Sequence, residues 1–327
     1  MSELSNPSII SAADIVSSLQ GNFSPLAKLI RSLAPKSCSS DYITIRGHYL
    51  PFQGSKPRVG ELLEHISLYI CNFALSRSEI DAVHDKVRTA SEQEKMLAYI
   101  GLRDSAAELF IKAQKSTNRN GECGELLLYL LTEWVLEAPQ LLAKMSMKTT
   151  SSMPVHSSDG IHVKFDAQSN KLIFFWGEAK IHKTIGGALS DAVESISIAL
   201  NHSKLKEDIR LVRRFINTTG LPTTAQAKLV EYLDPLSDSY DQKVYASTCL
   251  IGFDFSAFSK LSSVNAGEIE TFFTKQLELE LEKATKSLQT LLANKNISHH
   301  RLEVFFLPVE SVAQLRNDWQ ARIGWAK

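Results

Sequence analysis

Five charged side chains stand where their types and spacing could do chemistry. Asp159 ends a polar loop. Glu178 and Lys180 form a Glu-x-Lys triplet straight after the apolar run Leu172, Ile173, Phe174, Phe175 and Trp176. Glu122 and Glu125 lie at the opening of an apolar helical stretch, GELLLYLLTEWVLEA (124–138). Residues i and i+2 of a strand share a face, so Glu178 and Lys180 point together. Asp159 directly precedes the strand-like run GIHVKF (160–165), and the turn DAQSNK separates that run from KLIFFWGEAKI (171–181), which is a hairpin signal. Antiparallel pairing sets the start of one strand beside the end of the next, bringing Asp159 within reach of Glu178. Such a set suits metal-assisted phosphodiester hydrolysis. Two carboxylates offer hard oxygens to Mg²⁺ (or Mn²⁺). An ion held there polarises a phosphoryl oxygen and acidifies its bound water. A lysine beside it orients that water or stabilises the pentavalent charge. A glutamate from a packed helix, Glu125 or Glu122, could complete the metal shell.

The same residues also admit readings without chemistry. Asp159-Gly160 suits a turn before a strand. Glu178 and Lys180 suit an edge ion pair. Glu122 and Glu125 complement a helix dipole. The triplet Glu-x-Lys alone carries no information, and its weight comes from following a buried strand, where unpaired charge is costly.

The elements that must position these residues follow from the pattern. From residue 121 the order is helix, three strand-like runs (141–148, 160–165, 171–181) and a helix over 185–200. Helices at 204–215 and 224–233, a strand at 244–255, a long helix at 267–293, a strand at 301–309 and a helix at 312–323 complete the chain. This predicts an α/β core with mixed pairing, in which a hairpin joins strands that arrive through helices. Residues 1–120 read as mainly helical, with stretches at 9–19, 25–33, 60–75 and 92–114 and one strand-like run at 41–50. Ser76 and Glu79 form a capping box. The polar STNRNGECG (116–124) reads as a boundary, giving a helical N-terminal region over 1–120, a candidate for partner binding, and an α/β domain over 121–327.

Composition excludes several classes. The 327 residues carry 36 basic and 36 acidic side chains, so the net charge is zero and the chain is no polycation. Binding to nucleic acid must then come from a local patch or a partner. Four scattered cysteines without a CxxC argue against a zinc ribbon or a disulfide framework. No apolar run approaches the ~18 residues that span a bilayer, and MSELSNPSIISAADIV has neither a basic nor an apolar leader region. The expectation is a soluble cytoplasmic protein that does not enter a membrane.

The strings GECGELLLYLLTE, SMKTTSS, DGIHV, FFWGEAKIH and ALSDAVESI together resemble the PD-(D/E)xK nuclease superfamily, and within it the HamA family of nuclease subunits of the Hachiman anti-phage defence system. The likeness is strongest over about residues 121–200. It implies a restriction-endonuclease-like αβββαβ core, a mixed sheet flanked by helices, and a divalent-metal site. It implies Asp159 and Glu178 as metal ligands, Lys180 as the catalytic lysine, and Glu125 rather than Glu122 as the helix glutamate. It also implies a superfamily-2 helicase as partner and DNA as substrate. One position departs from the pattern: Ser158 stands where the superfamily name has proline.

Candidate contacts to nucleic acid lie around this set. Lys148 falls on a strand-like run beside the site. His162 and His182 flank the carboxylates, as does His156. Arg210, Arg213 and Arg214 share one helical face by their i, i+3, i+4 spacing and form the best phosphate-contacting stripe in a neutral chain, although a solvated helix face fits them as well. The rival reading is a catalytically inactive adaptor of the same fold that binds a helicase or DNA. Cleavage of RNA stays open too, since nothing in the sequence reads a 2′-hydroxyl.

Overall fold

In a computed structural model the described residues are 10–38, 42–117, 121–143, 145 and 158–325. They form three layers built on one mixed sheet. The first helix, α1 (Ala12–Leu19), is closed by a capping box between Ser11 and Asp14. Three strands follow: β1 (Arg31–Ser32), β2 (Lys36–Cys38) and β3 (Ile43–Tyr49). A two-stranded ribbon, β4 (Phe52–Gln53) and β5 (Lys56–Pro57), leads to α2 (Val59–Ile66), α3 (Ile70–Ala74), α4 (Arg77–Val87) and α5 (Glu92–Thr117). Then come α6 (Glu122–Leu136), β6 (Gln140–Leu142), β7 (Gly160–Asp166), β8 (Lys171–His182), α7 (Ile185–Ala199), α8 (His202–Phe215), α9 (Thr223–Glu231), β9 (Lys243–Asp254), α10 (Ile269–Asn294), β10 (Arg301–Val309) and α11 (Val312–Arg322).

The strand order is β1-β3-β10-β9-β8-β7-β6, with β2 also on β3. Strands β6, β7 and β8 pair antiparallel, whereas β8, β9, β10 and β3 run parallel. This is the mixed α/β arrangement expected from the hairpin and the later helix-linked strands. Parallel strands are buried on both faces and read as continuous apolar runs, and β8 has that character from Leu172 to Trp176. Each buried Phe there contributes about 1.5–3 kcal/mol.

Alternation sorts the two faces. Ile173, Phe175, Ala246, Leu250 and Phe305 face α6, α11 and the helices of residues 59–117. On the other face, Cys249, Ile251, Val304 and Phe306 meet α7 and α10, while Leu172, Phe174, Trp176, Ile161 and Val163 meet α1, α8 and α9.

Residues before 120 belong to this same body. β3 is an inner strand, parallel to β10, and Arg46 Nε pairs with Glu303 Oε2 at 2.9 Å across that join. A boundary at residue 120 therefore divides one continuous sheet and core. The 25–33 stretch is helical only over a short 3₁₀ helix (Ser24–Lys28, with Pro25 in its first turn) and then passes into β1.

Ile45 on β3 is 3% exposed and packs in the core shared with β9 and β10. Ile45→Ala should cost about 2–5 kcal/mol. It should shift one cooperative denaturant transition, followed by the fluorescence of both Trp176 and Trp319. Two separated transitions, with only one displaced, would contradict a shared core.

Candidate active site at the end of strand β8

The hairpin register runs from Asp166↔Lys171 to Gly160↔Gly177. Beyond Gly177, β8 continues for five residues while β7 has ended. Asp159 sits at that divergence. Its backbone N–H donates to the Gly177 carbonyl at 2.8 Å, and its Oδ2 accepts the Ala179 N–H at 2.8 Å. The carboxylate thus replaces the strand partner that Ala179 has lost. Glu178 and Lys180 flank Ala179 and project together, with Lys180 Nζ 2.5 Å from Glu178 Oε1. Both are largely covered, their side chains 17% and 23% exposed for Glu178 and Lys180. The structure therefore brings Asp159, Glu178 and Lys180 together.

Electrostatics sets the state of the lysine. Burial opposes its charge, but Glu178 beside it and Asp159 beyond outweigh that, and the Lys180 pKa is raised. Lys180 is therefore a charged hydrogen-bond donor at neutral pH. Glu178 pairs in register with Cys249 of β9, whose buried thiol is pushed up by desolvation and by the Glu178 charge, and so stays protonated.

The helix glutamates arrive differently. α6 covers the face of Ala179 and Ile181, and its approach is close: a Cβ on Gly124 would lie 2.9 Å from Ile181 Cδ1. Glu178 and Lys180 project from the opposite face, with Cys249 and Ile251. Glu122 is buried, and its charge acts on the Cys123 thiol together with that of Arg316. Glu125 is half-buried in the first turn of α6. Among the described residues, no group of three or more His, Cys, Asp or Glu side chains is arranged to hold a metal. The set at the strand end is two carboxylates and a lysine.

Of the residues proposed to touch nucleic acid, His162 is corrected. It is 1% exposed, its Nδ1 lies 2.9 Å from the Ala138 carbonyl, and its ring packs against Tyr129. Period-2 alternation places it opposite Phe175, under α6, where no phosphate can reach. His182 lies on the site face, and its Nε2 is 3.5 Å from Asp191 Oδ2. Arg210, Arg213 and Arg214 are exposed along α8 and form no ion pair among the described residues; the Arg214 guanidinium lies over the Phe215 ring. Lys148 and His156 fall outside the described residues.

Sequence reasoning missed Asp208. Its buried carboxylate accepts Trp176 Nε1–H at 2.8 Å and ties α8 to β8 two residues before Glu178. Its signal was present: an acid on the apolar face shared with Leu211 and Val212.

A mixed α/β sheet in which an inner strand, β8, ends in Glu178 and Lys180 beside Asp159 defines the class to which this architecture belongs. The model of the HamA family matches residues 30–323, nearly the whole chain, and the chain belongs to that family, a component of Hachiman anti-phage defence. A comparison with curated proteins finds no match. No helix among the described residues is long and apolar enough to cross a membrane.

Burial holds the His162 pKa down at about 4, below its ordinary 6.5. The unfolded chain takes up this proton first. The neutral ring's contribution is therefore complete above pH 6.5 and is lost as the pH falls toward 4. At roughly 1.4 kcal/mol per pH unit, that is about 3 kcal/mol. His162→Asn should lose less stability than wild type between pH 7 and 4, read from denaturant midpoints across pH. Parallel curves would remove His162 as a source of acid sensitivity.

Proposed function

We propose that this chain is a metal-dependent DNA endonuclease with a PD-(D/E)xK core, the cutting component of its defence system, held in check by a superfamily-2 helicase. The observation that carries the reading is the strand-end cluster. Asp159 is clamped to the Ala179 N–H where β7 and β8 part, next to the Glu178–Lys180 pair. A dead adaptor has no need to keep two carboxylates and an ammonium partly desolvated at a strand end, since covering charge is costly.

The donor set fits Mg²⁺. That ion uses one or two carboxylates and fills its remaining positions with water and phosphate oxygens. Asp159 and Glu178 would hold it, while Glu125, on α6 across the strand from the Glu178 side chain, would stay outside that pair. When bound, it would polarise a phosphoryl oxygen and lower the pKa of a coordinated water. The protein's own groups do the rest. Lys180, kept charged by the carboxylates, donates hydrogen bonds to the attacking water or to a phosphate oxygen that gains charge. Asp159, bonded to the backbone, keeps one carboxylate from swinging away. The exposed Arg210, Arg213 and Arg214 face of α8 supplies contacts to the DNA backbone, and His182 stands beside the path. Zero net charge leaves long-range DNA capture to the helicase.

The reading is tested by plasmid cleavage with the purified chain, alone and with its helicase plus ATP, in Mg²⁺ and in EDTA. Cutting should need the metal and should fall roughly 100- to 1000-fold in Lys180→Ala and vanish in Glu178→Ala. A wild type that never cuts, yet still binds the helicase, would favour the adaptor.

The arginine stripe makes a separate prediction. Each of Arg210→Ala, Arg213→Ala and Arg214→Ala should weaken DNA binding equally across sequences and reduce the slope of log K against log salt by about 1. An unchanged slope in all three would place the DNA path elsewhere.

A further inference from the structure

The end of β8 beyond Gly177 poses a mechanical problem. It carries Glu178, Lys180 and His182, yet on one side it has lost β7. Gly177 O accepts from Asp159, and Ala179 N–H donates to it, so the main-chain groups of odd-numbered residues face the vacated side. Two side chains fill that gap. One is Asp159. The other is Arg316 of α11, whose Nη2 donates to the Ile181 carbonyl at 2.6 Å, across 135 residues of sequence.

α11 is well placed to hold a strand. Asp254, the last residue of β9, accepts the Val312 N–H at 2.6 Å, and Ser311 caps the helix through the Gln314 N–H. Leu315 and Trp319 are buried, and Trp319 packs edge-on against Phe110 of α5 at 5.6 Å. Arg322 bonds Ser67 Oγ and pairs with Glu64 of α2. The helix is thus fixed to β9 at one end and to α2 and α5 along its length. Arg316 Nε is buried with no partner among the described residues. Keeping a half-buried guanidinium with one buried, idle donor is unfavourable. An aliphatic side chain would fill the space at lower cost, so the hydrogen bond to Ile181 stands out as what the arginine adds.

We propose that Arg316 is a positioning residue for the strand-end site: it replaces the missing strand partner at Ile181 and so holds Glu178, Lys180 and His182 in place from behind, on the face opposite their side chains. The proposal rests on the nuclease reading for its catalytic consequence, but its structural half stands alone. Arg316 acts through the strand and does not touch DNA.

The test compares wild type, Arg316→Ala and Arg316→Lys in the full chain, by amide hydrogen exchange over residues 178–182 and by metal-dependent cleavage. Arg316→Ala should lose protection at Ala179 and Ile181 while distant strands keep theirs. Its kcat should fall roughly 100-fold, as expected for a small misplacement of reacting groups, with KM for DNA unchanged. Arg316→Lys, which still reaches a carbonyl with a charged donor, should recover most of both. Unchanged exchange at 179–182 in Arg316→Ala overturns the proposal whether or not the wild type cuts DNA. A wild type that cuts, with Arg316→Ala cutting equally well, overturns it too. A wild type that does not cut, with exchange altered as described, removes the nuclease reading and leaves the strand-holding role standing. Loss of KM and kcat together, unrescued by lysine, would make Arg316 part of the general fold and end the proposal.

Discussion

The structure turns on one main-chain hydrogen bond that a strand fails to supply. β7 stops at Gly160 and β8 runs on to His182. A β-edge with open donors and acceptors is a liability inside a protein. Here Asp159 takes the Ala179 N–H with its side chain and Arg316 gives a donor to the Ile181 carbonyl. Because the carboxylate does a backbone's work, it is fixed beside Glu178 and Lys180. Charge is gathered at a point where the sheet opens. The apolar layers on both faces hold that opening at a constant place: α6 through Gly124 on one side, α7 and α8 on the other.

The charges of the chain divide by depth. Covered histidines are kept neutral: desolvation depresses the pKa values of the buried His48 and His162 and of the half-buried His300. Lys180 is the opposite case. Burial works against its charge, and two neighbouring carboxylates restore it. The exposed arginines of α8 lie on the helix that Asp208 ties to Trp176. The Glu178–Lys180 pair and the exposed arginines are therefore carried by adjoining elements, β8 and α8, on the same face of the sheet.

What could be read from sequence was local. The turn DAQSNK and the alternation on either side fix the β7–β8 register, so the meeting of Asp159 with Glu178 and Lys180 followed from spacing. The rest depended on partners far apart in the chain. β3 pairs with β10 some 260 residues later, and parallel neighbours leave no turn to announce them, which is why the first 120 residues read as a separate helical region. His162 stood three residues from Asp159 and looked available, but a strand buried on both faces gives alternation no outward side. The layer from which Glu122 and Glu125 approach depends on which face α6 covers, and Gly124 shows this only once Ile181 is seen against it. Arg316 had no signal at all, since its partner is a carbonyl.

The central claim is that Asp159 and Glu178 form one site for a divalent ion. It is tested most directly by titrating Mn²⁺ into the purified chain and following the free ion by electron paramagnetic resonance, for wild type, Asp159→Asn and Glu178→Gln. The account predicts one bound ion per wild-type chain, competed by Mg²⁺, and its loss in both variants with the fold unchanged by circular dichroism. Equal binding in all three proteins, or none in the wild type, would contradict it.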